Sequence, residues 1–266
     1  MIWVNGQMVA NVQIAKLGDV EIAYFDFAGG NNGKTILLIH GFASTARVNW
    51  VSTGWVDALQ KTGYRVLALD NRGHGQSSKF YSPADYGPDI FAADAAALLD
   101  HLNIERCDVM GYSMGARITC WLCHAQPQRV TRAVYGGMGN HIFGNRGGYE
   151  AIAEALETDD VGTIADAGAL AFRKFADATG SDRLALAACI RPARMRITPE
   201  LVQAINTPTL VAVGGGDDIG GSALELAKMM PNAEGFVIDQ LDHMKATGAP
   251  VFKQKAIDFL SGNDVA

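Results

Sequence analysis

A serine with a glycine two residues away on each side is the pattern in this chain with the clearest chemical meaning. Gly111-Tyr-Ser113-Met-Gly115 follows a short apolar run at 107–110 and precedes a helix-like stretch at 116–124. A tight turn from a strand into a helix lifts a serine hydroxyl out of the sheet, where it can act as a nucleophile. The alternative is a chance match in a chain with 30 glycines, and the strand and helix on either side favour the nucleophile.

His243 is the candidate general base that such a serine needs. It stands between an apolar, strand-like run at 233–239 and a run with helical spacing at 251–260. That order predicts a loop beyond the carboxyl end of the last strand, which is the side of a parallel sheet where ligands bind. A solvated loop histidine is the alternative, and the position of His243 late in the chain, after Ser113, favours the base.

Two adjacent carboxylates, Asp217 and Asp218, compete to orient that histidine. They follow the apolar run at 209–213 and three glycines. Counting from the end of the strand favours Asp217, and Asp218 is the alternative because one extra glycine would shift the loop by one residue. A third interpretation is a glycine-aspartate turn with both carboxylates in solvent. The favoured catalytic set is Ser113, Asp217 and His243, in that chain order.

Further segments resemble signatures of the α/β-hydrolase superfamily, and the resemblance extends from about residue 20 to residue 260. The run at 36–42 is similar to the strand and His-Gly-aromatic segment that carries the family's oxyanion loop, and Trp50 follows it. The run at 66–77 resembles the family's D-x-R-G-x-G-x-S turn, and the run at 231–234 leads into the last strand as it does in the family. The family's epoxide hydrolases and haloalkane dehalogenases use an aspartate where Ser113 stands, so the resemblance argues against those reactions.

The resemblance also implies roles for individual residues. The backbone N–H groups of Phe42 and Met114 would form the oxyanion hole, and His40 is expected to shape the loop that carries Phe42. The residues considered for the substrate pocket are His40, Met138, Arg191 and Arg194. Inward-facing arginines could clamp an anionic substrate, whereas the alternative is a solvated face paired with nearby acids.

The alternation of strand-like and helix-like runs predicts an α/β protein with a doubly wound, mostly parallel sheet. Two opening strands at 9–14 and 20–27 are expected to form an antiparallel edge. Parallel strands are then expected around residues 36–39, 65–69, 107–111, 133–136, 209–213 and 234–238. The helices between and after them are expected near 50–62, 91–102, 113–124, 222–230 and 251–261. Residues 1–139 and 207–266 would form the α/β-hydrolase core, and the break in the strand pattern predicts a helical cap, or lid, at 140–206. The short helices expected in this cap lie at 149–156, 162–175, 183–189 and 199–205. Four aromatic side chains of the cap could face the pocket or pack within the cap, namely Phe143, Tyr149, Phe172 and Phe175.

Composition excludes several classes of protein. The 266 residues are 48% hydrophobic and 19% charged, which is typical of a globular domain. A net charge of -6 opposes nucleic acid or anionic membranes as partners. No apolar run reaches the length of a membrane span, and no signal peptide is recognised, so a cytoplasmic location is expected. The histidine spacing predicts no metal, and no cofactor is expected. Cys120 and Cys123 could suggest redox chemistry, but their place within a helix favours buried packing.

These inferences predict a serine hydrolase that cleaves a small or medium carboxylic ester, amide or thioester through an acyl-enzyme. Its partners would be a small-molecule substrate and water. A C–C bond hydrolase and a cofactor-free haloperoxidase use the same fold and triad in the resembled family and remain alternatives. A ligand-binding module with slow or no turnover is the alternative from another class.

Overall fold

The computed structural model describes residues 2–4, 7–9, 11–29, 32–144, 148–192 and 197–262, with the backbone alone for the first two segments. An eight-stranded, mostly parallel sheet lies at the centre of the molecule, in the spatial order β10-β9-β8-β7-β5-β6-β4-β3. The strands of this sheet are β3 (Gln13–Leu17), β4 (Val20–Phe27), β5 (Thr35–Ile39), β6 (Arg65–Leu69), β7 (Cys107–Tyr112), β8 (Val130–Gly136), β9 (Thr209–Gly214) and β10 (Ala233–Ile238). A separate antiparallel pair is formed by β1 (Ile2–Val4) and β2 (Gln7–Val9). The doubly wound α/β fold expected from the sequence is confirmed.

The apolar strands are buried on both faces because helices cover both sides of the sheet. Along β5, Leu37 and Ile39 belong to one apolar cluster, whereas Ile36 and Leu38 belong to the other. This alternation follows from the two-residue period of a strand. The helices of the structure are α1 (Trp55–Lys61), α2 (Pro88–His101), α3 (Met114–Ala125), α4 (Tyr149–Glu157), α5 (Ala167–Ala178), α6 (Arg183–Ile190), α7 (Pro199–Gln203), α8 (Ala223–Met229), α9 (His243–Ala246) and α10 (Pro250–Ser261).

The order of the strands creates a switch point at β5. Its two neighbours are β6, the next strand along the chain, and β7, which comes later. The chain therefore leaves β5 toward one edge of the sheet and returns to build toward the other. Loops at the carboxyl ends of strands separate at such a point, and the crevice between them is the usual ligand site of an open α/β sheet.

The edge of the sheet differs from its predicted form. The opening strand spans Gln13–Leu17 rather than 9–14, and Leu17 pairs with Val20 across a two-residue turn at Gly18 and Asp19. Gly18 has a φ of 65°, which glycine adopts without strain. Because this tight turn places Leu17 opposite Val20, the paired part of the opening strand lies next to the turn and later in the chain than predicted.

The single helix predicted at 50–62 is also divided in two. A π-helical turn covers Arg47–Val51, and α1 begins only at Trp55. Gly54 separates the two pieces with a φ of 76°, a left-handed conformation that interrupts a right-handed helix.

Helices α4 to α7 lie between β8 and β9 in the chain, within the segment predicted to be a cap. Helix α4 packs against both α5 and α6. Their bounds agree with the expected helices to within a few residues, except that α5 begins five residues later than predicted, after the Asp166 side chain accepts a hydrogen bond from the Ala169 amide. We refer to residues 140–206 as the helical insertion.

Candidate active site

Ser113 occupies a strained turn between β7 and α3. Its backbone has φ 56° and ψ −114°, a conformation that residues with a Cβ rarely adopt. The Ser113 amide donates a 2.8 Å hydrogen bond to the Gly136 carbonyl at the end of the neighbouring strand β8. Strain of this kind persists only where the surrounding structure holds it, and here it turns the serine out of the sheet.

Two glycines make this turn possible because neighbouring backbone lies against them. A Cβ on Gly111 would overlap the Gly115 carbonyl, and a Cβ on Gly115 would overlap the Ile39 carbonyl of β5. The contact at Gly41 is looser, since a Cβ there would lie 3.4 Å from the Cβ of Ser113. The pattern of glycines around the serine therefore reflects close approach of backbone on two sides.

Asp217 and His243 are brought together across the ends of β9 and β10. Asp217 Oδ2 lies 2.7 Å from His243 Nδ1, and the two side chains are 0% and 11% exposed. The other oxygen, Oδ1, accepts hydrogen bonds from the amides of Ile219 at 2.9 Å and Gly220 at 2.8 Å. The carboxylate is thus fixed by its own turn, and its free oxygen orients the imidazole so that Nε2 is the nitrogen left for chemistry.

His243 is the first residue of α9 rather than part of an extended loop. Asp242 caps this short helix by accepting from the amides of Met244 and Lys245. The Tyr112 hydroxyl donates a 2.6 Å hydrogen bond to the His243 carbonyl, and the Tyr112 ring lies 5.4 Å from the imidazole. The residue before Ser113 therefore positions the histidine backbone, a contact that no spacing in the sequence indicated.

Asp218, the alternative acid, lies elsewhere. It is exposed to solvent, and among the described residues no hydrogen bond or ion pair joins it to His243. The turn that buries Asp217 points the next side chain outward.

The amides of Phe42 and Met114 lie on the two segments that flank Ser113. Among the described residues neither amide donates a hydrogen bond to another protein group, and both residues line the same cavity as Ser113. Met114 is the first residue of α3, where backbone N–H groups have no partner within the helix. The loop before Phe42 is held by Asn49, whose side-chain oxygen accepts a 3.0 Å hydrogen bond from the Gly41 amide. Asn49 was not predicted from the sequence, although it directly precedes Trp50, which carries part of the family resemblance.

His40 supports this loop from below and does not line the cavity. Its ring is fully buried, with Nδ1 2.7 Å from the Gly41 carbonyl and Nε2 accepting from the Asn71 amide at 3.0 Å. Burial lowers the pKa of His40 to about 4. The neighbouring His74, with its ring 5.1 Å away, is also buried, and burial together with His40 lowers the pKa of His74 to about 3. The substrate-pocket role considered for His40 is corrected: both histidines are neutral internal supports.

A cavity of about 580 Å³ opens above Ser113 and His243. Its lining is mostly apolar and comes from the sheet loops, from α3 and from the helical insertion. Met138 lines it, as considered from the sequence. Of the four aromatic residues considered, Tyr149, Phe172 and Phe175 line it, whereas Phe143 packs against the core cluster. The Phe172 ring lies 5.7 Å from that of Phe42, so the insertion contacts the loop that carries Phe42 directly.

Arg191, one of the two arginines of the helical insertion considered for the substrate pocket, does not line the cavity. Arg191 forms ion pairs with Glu150 at 2.9 Å and with Glu157. The hydrogen bonds that Arg191 donates to Glu157 and Glu150 raise the pKa of Arg191, and Arg191 in turn lowers the pKa of Glu157. The pocket role of Arg191 is therefore corrected, because its charge is already compensated by two carboxylates. Arg194 lies outside the described residues.

Among the described residues, Arg117 is the Lys, Arg, Asp or Glu side chain that lines the cavity, and it was not predicted from the sequence. It lines the cavity four residues after Ser113, a spacing that puts both residues on the same side of α3. Its guanidinium donates to backbone carbonyls at the start of the helical insertion.

Cys107, Cys120 and Cys123 are not among the residues that line the cavity, whereas Cys189 lies on the cavity wall. All four are buried free thiols, and burial raises the pKa of Cys123 to about 12. Among the residues that the structure describes, no three His, Cys, Asp or Glu side chains are grouped so that they could hold a metal ion. In that same part of the chain, no helix is both long and apolar enough to span a membrane.

Comparison with known proteins agrees with this fold. A family model described as the alpha/beta hydrolase fold matches residues 34–137. A crystal structure of a hydrolase from Pseudomonas aeruginosa PA01 superposes with a TM-score of 0.76, at 24% identity over 94% of this chain and 98% of that one. The family model matches residues 34–137, and the superposition shows that the chain has the fold of that hydrolase.

Two curated relatives indicate the range of activities among similar proteins. The dihydrolipoyllysine-residue acetyltransferase component of the acetoin cleaving system of Pseudomonas putida is 29% identical over 93% of this chain and 69% of its own length. The 2-hydroxy-6-oxononadienedioate/2-hydroxy-6-oxononatrienedioate hydrolase of Paraburkholderia xenovorans is 32% identical over 46% of this chain and 41% of its own length. The chain thus spans only part of these relatives. The family model and those relatives that are named hydrolases support a hydrolase.

Proposed function

We propose that this protein is a serine hydrolase that cleaves carboxylic esters of small molecules through an acyl-enzyme. The observation that carries the proposal is the 2.7 Å contact between Asp217 and His243, beside a cavity that also contains Ser113 on a strained turn. An oriented imidazole, a hydroxyl on the cavity wall and two amides with no partner among the described residues are the groups that acyl transfer requires.

In the proposed reaction, Ser113 Oγ attacks the substrate carbonyl carbon while His243 Nε2 takes the hydroxyl proton. The Phe42 and Met114 amides bind the oxyanion that forms on the carbonyl oxygen. The bond to the leaving alcohol then breaks as His243 returns the proton to it. Water attacks the acyl carbon, with His243 as base again, and the acid leaves as Ser113 regains its proton.

In this proposal residues 1–139 and 207–266 form the catalytic core, and residues 140–206 form its cap. The support is that Tyr149, Phe172 and Phe175 line the cavity from the helical insertion. Apolar side chains over a catalytic serine exclude bulk water and strengthen the electrostatic interactions beneath them. The same lining favours an acyl or alcohol group with apolar carbon atoms.

The nucleophile is tested with a fluorophosphonate probe and with p-nitrophenyl esters of increasing acyl length. We expect labelling of the wild-type protein at Ser113, found by peptide mass spectrometry, and no labelling or turnover in Ser113→Ala. Ser181→Ala, which changes another serine, is the matched control and should keep both. Undiminished ester cleavage by Ser113→Ala would refute the nucleophile assignment.

C–C bond hydrolysis is a second candidate, because a relative matched over 46% of this chain is named as a hydrolase of 2-hydroxy-6-oxo dienedioates. A panel that pairs nitrophenyl esters with vinylogous diketones separates the two reactions. Turnover of the diketones with slow ester cleavage would favour the second candidate.

A further inference from the structure

Arg117 lies on the cavity wall one helical turn beyond Ser113. The Arg117 amide donates a 3.3 Å hydrogen bond to the Ser113 carbonyl, so helical geometry begins at the serine. At a rise of 1.5 Å per residue, the two Cα atoms are separated by about 6 Å along the axis. The side chain is half-buried and lines the cavity beside His141 and Tyr149.

The guanidinium is held in place by neutral groups. Nη1 donates to the Ile142 carbonyl at 3.0 Å, and Nη2 donates to the carbonyls of His141 at 3.0 Å and Gly144 at 3.4 Å. A guanidinium has five N–H donors, so these bonds fix its position and leave donors without an acceptor among the described residues.

No carboxylate compensates this charge within the part of the chain that the structure describes. None of the ion pairs found there includes Arg117. The stretches of the helical insertion outside the described residues, 145–147 and 193–196, contain no Asp or Glu in their sequence. Arg191 differs in this respect, because it carries two glutamate partners on the same insertion.

The surroundings make an uncompensated cation costly. The neighbouring cavity wall is apolar, with Ile118 and Ile152 among its residues, and burial lowers the pKa of Arg117. Arginine nevertheless stays protonated in proteins. A ligand that brings a carboxylate would supply both the missing charge and the acceptors for the unused N–H groups.

We propose that Arg117 binds a carboxylate carried by the substrate at the end away from the scissile carbonyl. The substrate class is then the half-ester of a dicarboxylic acid, with its apolar chain lying in the cavity between Ser113 and Arg117. This assignment rests on the proposed ester hydrolysis and makes it more specific. It transfers the anion-binding role that the sequence suggested for Arg191 and Arg194 to a residue of α3.

The test compares pairs of esters that differ at one end, where one has a free carboxylate and the other has the neutral methyl ester of that carboxylate. The probes are the mono-p-nitrophenyl esters of succinate, glutarate, adipate and suberate, each paired with its neutral methyl p-nitrophenyl diester. We expect kcat/KM of the wild-type protein to favour the half-ester by about tenfold or more at the best chain length, as a charged hydrogen bond allows. Arg117→Gln should abolish this preference while the neutral diester loses less than about threefold, and Arg117→Lys should keep part of it.

Several outcomes would overturn the assignment. Equal kcat/KM for the two members of each pair in the wild-type protein would do so, and this comparison needs no variant to fold. An equal loss on both esters in Arg117→Gln would show that the arginine only anchors the helical insertion. Arg191→Gln is the matched control and should leave the half-ester preference unchanged.

Calorimetric binding of the free diacids separates this assignment from the proposed reaction. Binding of glutarate or adipate that is lost in Arg117→Gln, in a protein that cleaves no ester, would keep the anion site and reject the hydrolase. Ester cleavage with no preference for the charged substrate would keep the hydrolase and reject the anion site.

Discussion

Gly115 of the nucleophile turn packs directly against the Ile39 carbonyl at the end of β5. Any Cβ at position 115 would overlap that oxygen and would also lie against the carbonyl of His40. The contact joins α3 to the strand that leads into the loop carrying Phe42. The spacing between Ser113 and this loop is therefore set by backbone lying against backbone, without side chains between them.

Gly115→Ala should consequently lower both stability and activity. Backbone must move to admit the methyl group, and overpacking of this kind costs about 1–3 kcal/mol or more in free energy of unfolding. We expect a lower urea midpoint and a kcat for p-nitrophenyl esters that falls further than the stability loss explains. Gly168→Ala is the control, since Gly168 lies in α5 and its new Cβ meets only an Asp166 side-chain oxygen at 3.2 Å. A wild-type kcat in Gly115→Ala would contradict the geometric role.

Substitution of Asp217 and of its neighbour Asp218 should have very different effects on kcat. Asp217→Asn keeps an oxygen for the amides of Ile219 and Gly220 but no longer provides a carboxylate for His243, so kcat should fall by about four orders of magnitude. Asp218→Asn changes an exposed side chain and should alter kcat by less than about threefold. Steady-state ester hydrolysis measures both variants, and a reversed order would assign the orienting role to Asp218.

Asn49→Ala should impair transition-state binding more than substrate binding. The substitution removes the acceptor of the Gly41 amide and releases the loop that carries Phe42. Complete loss of an oxyanion donor lowers kcat by about a hundredfold, so a poorly positioned donor should lower kcat by up to about that factor. KM should change much less. Asn206→Ala, at an exposed asparagine outside the cavity, should leave both constants unchanged. An increase in KM at constant kcat would instead indicate that Asn49 contacts the substrate.

Because His40 and His74 are buried, we expect the free energy of unfolding to decrease as the pH is lowered. In the folded protein burial lowers their pKa values to about 4 and about 3, whereas the ordinary value is 6.5. Between these values the unfolded chain binds more protons than the folded one, so the free energy of unfolding rises with pH. The loss should begin as the pH falls through 6.5 and should continue toward 4 and 3.

Urea unfolding at several pH values between 7 and 5 measures this slope. His74→Asn can keep a donor for the Arg72 carbonyl and removes one titrating group, so the slope should become shallower. His101→Gln changes an exposed histidine and should retain the wild-type slope. Stability that is constant from pH 7 to 5 would contradict the internal role of these histidines.

Much of the fold could be predicted because its elements depend on local pattern. The strands β5, β6 and β9 and the helix α3 lie within a residue or two of their predicted bounds, since short apolar runs between turn residues are typical of buried strands. The errors at 9–14 and 50–62 occurred where Gly18 and Gly54 adopt left-handed backbone. A sequence marks a glycine but does not indicate which sign of φ it takes.

The sequence by itself determined the chain order of Ser113, Asp217 and His243, the strand-to-helix turn around the serine, and the helical nature of the insertion. The tertiary structure alone decided that Asp217 rather than Asp218 contacts His243, that Arg191 is neutralised by Glu150 and Glu157, and that Arg117 faces the cavity. The physical reason is the separation along the chain of the residues that interact. Strand and helix patterns follow from neighbouring residues, whereas the direction of a side chain depends on loops that meet at the ends of strands far apart in the chain.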